Sequence, residues 1–385
     1  MKPFLALDPL VPVDEFPVAQ TCTYINAANV TPMYRPAAAA ITEWYRDVAE
    51  YGSNHFDEEA EATVFDELHR QAARLFNASP ADIAAGSSTT ELLSSLAWAV
   101  MPGPDTNVVS TDVSFPASVY PWRRVANHTG CEIRLAHARG ETVDPDRVRD
   151  LVDDNTAVVA LSHVEFRSGQ RWDLAAFADI AHRHGALLVV DATQSAGAVP
   201  IDAPAMGVDA VAAGAYKWLC GPFGVAVMYL APHLATRLEP GLVGFRSQKD
   251  IWDIRTDPPD YPVDASRFEF STMAYGLAGG FAKSIEFLVD TGIDRIFAHN
   301  QVLADHLIDG LAAIGAEVTS PWDAEERSAI VTARFPGRDV SDVARYLKQA
   351  NVMVALRGPV IRFSPHLYNR MADVERALEV ISGMP

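Results

Sequence analysis

The sequence predicts an α/β fold, a mainly parallel sheet covered by helices and joined to a smaller α+β unit, and three observations carry that reading. Four runs, NVVSTDV (107–113), TAVVALSHV (156–164), ALLVVDAT (186–193) and DAVAAGAY (209–216), are apolar enough to be buried on both faces, as strands between two helical layers are. Amphipathic stretches separate them, such as DLAAFADIAHRHG (173–185), whose closing Gly185 suits a helix C-terminus. Finally, GVAVMYL (224–230) follows the fourth run after a short Gly-Pro turn. That turn is too brief for a crossover helix, so the run is expected to pair antiparallel.

The remaining elements follow in order. Residues 241–270 are rich in Pro, Asp and Arg and lack periodicity, which predicts a long loop near a functional site. The stretch beginning AYGLAGGFAKSIEF carries helical spacing as far as Gly315, and about 327–385 alternates strands and helices. There are no repeats and no low-complexity tracts.

Composition bounds the function. The 385 residues are 49% hydrophobic and 21% charged, with a formal net charge of −19 spread along the chain. Such acidity argues against nucleic acid or an anionic membrane as a partner. Cys22, Cys131 and Cys220 are far apart and show no metal-ligand spacing, so no metal is expected, and reduced thiols in a cytoplasmic setting are. The start, MKPFLALDPLVPVDEFP, is broken by prolines and acids before a signal-peptide core could form, and no apolar run reaches membrane-spanning length. A soluble protein is expected.

Between Ala210 and Ala231 a single residue, Lys217 in AGAYKWLCG, carries a full charge at neutral pH. A lysine among apolar neighbours commonly extends its head to solvent. Held in a partly desolvated pocket instead, its amine deprotonates more easily and can attack a carbonyl. The neighbours favour the second case. Asp191 ends the strand ALLVVD, where an acid points into the crevice that α/β sheets use for ligands, although turn aspartates are common. Gln194 follows three residues on. An acid facing a Schiff-base lysine is the pairing that pyridoxal 5′-phosphate (PLP) needs, because it keeps the pyridine nitrogen protonated. Ser88, Thr89 and Thr90 stand at a helix start in GSSTTELLSSLAWAV, a ready phosphate site by its free N–H groups and dipole, or an ordinary N-cap. Phe115 follows a strand at the same sheet end and is either core or a stacking partner for a flat ring.

With these residues in view, VVDATQSAG followed by VDAVAAGAYKWLCGPFGVAVMYL resembles the class V aminotransferase group of fold-type-I PLP enzymes. The group includes cysteine desulfurases, isopenicillin N epimerases, kynureninases and ergothioneine-pathway C–S lyases. YINAAN (24–29) resembles its opening strand, SSTTE (87–91) its phosphate loop, RFEFST (267–272) its inter-subunit segment and RFSPHLYN (362–369) its carboxylate motif. The resemblance implies a seven-stranded, mainly parallel sheet in a large domain over 31–270, and a small domain built from 1–30 and 271–385. It implies that Lys217 forms the Schiff base with PLP, Asp191 pairs with the ring nitrogen, Gln194 bonds the ring hydroxyl and Phe115 stacks on the ring. Ser88, Thr89, Thr90 and Tyr216 would hold the phosphate, with Thr272 reaching it from a second subunit, so a homodimer is implied. Arg362 would grip the substrate carboxylate beside Asn26 and Ala28.

Departures from the family narrow the chemistry. Desulfurases place a nucleophilic cysteine on a loop before the carboxylate-binding arginine, whereas NVMVALRGPVIR (351–362) has no cysteine and little room for a loop. Phe166 replaces an asparagine, Gly214 a serine and Tyr216 a histidine of the desulfurases. These differences point to an amino-acid substrate activated as a Cα carbanion, with β-elimination of a cysteine-derived substrate (C–S lyase) leading. Epimerisation, transamination and kynureninase-like hydrolysis remain alternatives, and a non-enzymatic PLP-fold binding module is the contrasting class.

Overall fold

The fold was determined as a computed structural model that describes residues 7–384, so the first six residues of the N-terminal segment lie outside the described residues. Its strands, in chain order, are β1 (Thr23–Tyr24), β2 (Ile83–Gly86), β3 (Asn107–Thr111), β4 (Glu132–Ala136), β5 (Thr156–Ser162), β6 (Leu187–Asp191), β7 (Ala210–Gly214), β8 (Ala226–Leu230), β9 (Glu317–Val318), β10 (Val331–Arg334), β11 (Val352–Met353), β12 (Ala355–Arg357) and β13 (Val360–Phe363). Seven of them form one sheet in the order β2-β8-β7-β6-β5-β3-β4. β8 alone runs against the rest, pairing antiparallel with β7 on one side and β2 on the other. The short Gly-Pro turn between β7 and β8 thus makes the antiparallel neighbour expected from its length.

Both faces of this sheet are dry. Val109, Leu161, Val190 and Val211 pack into one core layer, while Val108, Ala160, Val189 and Ala212 pack into the other. Successive residues of a strand face opposite ways, so burying both sets requires the continuous apolar runs seen in the sequence. Helices supply the covers. The helix Leu174–Arg183 starts where the Asp173 carboxylate accepts the Ala176 N–H at 3.1 Å, and Gly185 follows it at a φ of +72°. A left-handed residue of that kind ends a helix cheaply only as glycine.

A second sheet, β12-β13-β10-β9, is antiparallel and packs its own core against the helices Ile293–Ala313, Val340–Gln349 and Met371–Ser382. The opening strand is shorter than the stretch 24–29. β1 stops at Tyr24 after pairing with β11, because the next backbone groups turn to Ser364: Asn26 bridges it, the Ala27 N–H reaches its carbonyl at 3.0 Å and the Ala28 N–H its Oγ at 3.0 Å. Residues 241–270 hold only two short 3₁₀ turns, Phe245–Ser247 and Ala265–Phe268, as their composition predicts.

The topology sets where chemistry can occur. Gly86, Thr111, Ser162, Asp191 and Gly214 are the last residues of five co-directional strands, and Ala226 opens β8 beside Gly86 and Gly214. The chain reversals after these five strands are therefore poised over one crevice, and each contributes residues to it. Gly197 locks one of them. At a φ of +89°, a Cβ there would stand 2.5 Å from the Trp218 carbonyl oxygen. Gly197→Ala is expected to lose about 2 kcal/mol or more of unfolding free energy in a urea titration; an unchanged midpoint would contradict this packing.

Candidate active site

Lys217 lies three residues beyond β7, in a turn closed by the Cys220 N–H donating to the Lys217 carbonyl at 2.8 Å and the Gly221 N–H to the Ala215 carbonyl at 2.9 Å. Its side chain enters a cavity of about 370 Å³ at the C-terminal ends of β5, β6 and β7. Lys217 is 7% exposed, and its Nζ takes part in no hydrogen bond or ion pair among the described residues. The nearest rings are Phe115 and Tyr216, whose centroids lie 5.5 and 5.6 Å from Nζ. Burial pushes its pKa down to about 8; the Asp191 charge opposes the shift, while Arg362 and Arg357 add to it. A lysine depressed this far has about a tenth of its amine neutral at pH 7, against less than about a thousandth for an ordinary one.

Asp191 is 5% exposed at the end of β6. One carboxylate oxygen accepts the Thr193 N–H at 2.9 Å and the other accepts Ser118 Oγ at 3.3 Å. Gln194 is held at both ends of its amide: Nε2 donates to the Ala28 carbonyl at 3.0 Å and Oε1 accepts Trp218 Nε1 at 2.9 Å. The residue after the lysine thus fixes the residue three after the aspartate.

The helix Thr89–Val100 points its N-terminus into the same cavity. Ser88 is its N-cap, with Oγ accepting the Glu91 N–H at 3.1 Å, so the capping role expected of this serine is present. The N–H groups of Thr89 and Thr90 lie in the first turn, where no intrahelical acceptor exists, and both residues line the cavity. Thr89 Oγ1 lies 2.9 Å from Thr193 Oγ1. Gly214 makes this approach possible, since a Cβ there would sit 3.1 Å from Thr89 Oγ1. Tyr216 stacks on Phe223 at 4.6 Å and 20°, and burial, then the Asp191 charge, raises its hydroxyl pKa. Phe115 is the N-cap residue of the helix Pro116–Thr129 and meets Phe166 edge-on at 5.4 Å.

Arg362 on β13 is 1% exposed. Its Nη1 donates to the Phe166 carbonyl at 2.7 Å, while Nε and Nη2 have no partner among the described residues. Burial, reinforced by the Arg357 charge, lowers its pKa to about 9. In the β12–β13 hairpin Ala355 faces Arg362 and Arg357 faces Val360, so the two arginines share one face of the ribbon. Among the described residues Arg357 pairs with neutral acceptors only, the Asn29 Oδ1 at 2.7 Å and the Leu356 carbonyl at 2.9 Å.

The cavity brings together Ser88, Thr89, Thr90, Phe115, Asp191, Gln194, Tyr216 and Lys217 of the residues singled out in the sequence. Four others stand off its wall. Arg362 reaches it through Phe166 and Ala28 through Gln194. Asn26 is buried with its Oδ1 unpartnered, and Thr272 is exposed. Sequence reasoning passed over Thr193, Ser162 and Phe223, which also line the cavity, and Ser118, which reaches Asp191. Thr193 was within reach, lying between two chosen residues; Ser118 and Ser162 come together only through the fold.

These groups fit PLP. A buried amine without a hydrogen-bond partner among the described residues can bond its aldehyde, and a carboxylate in the same cavity, that of Asp191, suits a protonated ring nitrogen. A helix N-terminus with threonine hydroxyls suits its phosphate, and the cavity size is that of a small cofactor site.

Comparison with known proteins gives the same picture. The family model described as aminotransferase class-V matches residues 23–376. The uncharacterized aminotransferase YcbU of Bacillus subtilis (strain 168) is 29% identical over 370 residues, covering 96% of each chain. Among solved structures, the apo cysteine desulfurase from Thermococcus onnurineus NA1 superimposes with a TM-score of 0.86 at 23% identity, covering 96% of both chains. The cystine C–S lyase C-DES, in complex with cysteine persulfide, superimposes with a TM-score of 0.87 at 21% identity, covering 96% of this chain and 99% of the other.

The depressed lysine makes a kinetic prediction. Capture of PLP by the apoprotein, followed by visible absorbance, should quicken about fivefold from pH 7 to pH 8 and level off above about pH 9. A rate still climbing steeply at pH 10 would show an ordinary, solvated lysine.

Proposed function

The chain belongs to the aminotransferase class-V family and is a PLP-dependent enzyme, and from that premise we propose that it cleaves the Cβ–S bond of a cysteine-derived amino acid by β-elimination. With water, an S-substituted cysteine yields a thiol, pyruvate and ammonia. The observation that carries this reading is the placing of the cysteines. Cys220 and Cys131 are buried, and burial pushes the Cys220 thiol pKa far up. Cys22 lies near Val18, and none of the three is among the residues lining the cavity. The segment before Arg362 is the tight β12–β13 hairpin, turned by Gly358 and Pro359 alone. A persulfide relay therefore has neither nucleophile nor loop, and Lys217 is left as the group that moves protons at the substrate.

In this reading Lys217, Asp191, Gln194, Phe115 and the Ser88–Thr90 turn would hold PLP, which when bound supplies an electron sink for the bonds broken at Cα. Arg362 offers its two unpartnered N–H groups to the α-carboxylate, a bidentate match that fixes the Cα–H bond. The Lys217 amine takes that proton and can return it. Asp191 keeps a proton on the ring nitrogen from the opposite side of the cavity. The Phe115, Phe166 and Tyr216 rings exclude water. Arg357, a guanidinium on the same ribbon face as Arg362 whose partners among the described residues are neutral, favours substrates whose departing thiol carries an acidic group. Thr272 of the partner subunit completes the phosphate site in a homodimer, consistent with its exposure on the surface of its own chain.

Incubation with S-methylcysteine and S-carboxymethylcysteine tests the proposal. Pyruvate and thiol should form in equal amounts, about tenfold faster at low concentration for the carboxymethyl compound, and Arg357→Ala should erase that preference. Lys217→Ala should lower the rate by about a thousandfold or more, and Arg362→Ala should lower kcat/KM by about a hundredfold. Loss of optical purity without pyruvate, or amine transfer that requires a keto acid, would replace the lyase reading by epimerase or aminotransferase.

A further inference from the structure

Glu165 is an acid that no step above uses. It lies just beyond β5 with no exposed surface. One oxygen, Oε1, accepts Ser114 Oγ at 3.0 Å, Trp172 Nε1 at 3.1 Å and Thr111 Oγ1 at 3.4 Å; the other, Oε2, has no partner among the described residues. Thr111 closes β3, and its Oγ1 also accepts the Ser114 N–H at 3.0 Å. The donors thus come from the β3 end, from the turn leading into the helix Pro116–Thr129, and from Trp172 beyond the bridge between Val164 and Arg171.

Four residues past Ser114 the same chain is tied a second time, where Ser118 Oγ donates to Asp191 at 3.3 Å and approaches Ser162 Oγ at 3.3 Å. Phe115, whose ring lies 5.5 Å from Lys217 Nζ, stands between the two ties. We propose that Glu165 is a positioning residue that acts through Ser114 to hold the Phe115 ring at the depth and tilt at which it covers the cofactor ring. The inference rests on the reading of the cavity as a PLP site, and on no particular substrate.

The electrostatics agree. Burial raises the Glu165 pKa to about 7, its three hydrogen bonds oppose the shift and the Asp191 charge adds to it. The facing groups are Thr111, Ser114, Trp172 and Asp191, among which Asp191 alone is charged. With its pKa raised to about 7, Glu165 carries less negative charge near Asp191 at neutral pH than an ordinary carboxylate would, while its hydrogen bonds still brace the turn.

The test uses the PLP-loaded enzyme and reads visible circular dichroism, which reports how the bound ring is seated. Glu165→Gln, which keeps the shape and an accepting oxygen, should retain the band within about twofold. Glu165→Leu, or the milder Ser114→Ala, should reduce it at least about threefold and weaken PLP retention about tenfold. Added to Phe115→Ala, neither change should cost anything further, because both act through the same ring. A full-strength band in Glu165→Leu and Ser114→Ala, or losses that simply add to those of Phe115→Ala, would overturn the proposal. A wild-type protein that shows no PLP band would instead overturn the cofactor site on which it rests.

Discussion

One constraint organises the structure: an ammonium group is kept out of water without a counter-ion in contact among the described residues. Lys217 is 7% exposed, has no hydrogen bond among those residues and is pushed down to about pKa 8. At about 1.4 kcal/mol per pKa unit, holding it charged there costs about 3 kcal/mol. A fold supports such a group only if its surroundings leave it no lower-energy position. The buried turn after β7, closed on both sides of the lysine by backbone hydrogen bonds, removes the freedom to swing out.

The rest of the site can be understood as support for that amine. The parallel sheet brings Asp191 and Ser162 to the same edge. Trp218 fixes Gln194, and Gln194 fixes the N-terminal segment at Ala28, so the lysine turn, the aspartate turn and the chain start form one hydrogen-bonded unit. Gly197 is a glycine because the Trp218 carbonyl occupies the space a Cβ would need, and a Cβ at Gly214 would press on Thr89 Oγ1 at 3.1 Å. Arg362 and Arg357 share a ribbon face, and neither forms an ion pair with a carboxylate among the described residues. Like charges so placed repel, and an anionic ligand relieves that repulsion.

Much of this was legible before any coordinates. The sheet and its antiparallel member followed from run length and turn length, since a strand buried on both faces has no polar side to display. Lys217 stood out because a lone charge in a buried run is costly. The Ser88–Thr90 turn was legible as a helix start, and Ser88 caps it while Ser88, Thr89 and Thr90 line the cavity. Groups whose roles depend on tertiary approach were not legible. Ser118 is an ordinary helical serine until Asp191 comes within 3.3 Å, and Glu165 reads as a loop acid until burial leaves it fully enclosed. The opening strand was overextended because Asn26 and its neighbours find their partners at Ser364, a pairing that sequence does not announce.

The central claim is that the buried amine of Lys217 carries the cofactor, and peptide mapping after reduction tests it most directly. The PLP-loaded protein is treated with borohydride, digested and mass-analysed. The account predicts a single phosphopyridoxyl-modified peptide containing Lys217, and none in Lys217→Ala. A modification spread over surface lysines, or one that persists in Lys217→Ala, would contradict it.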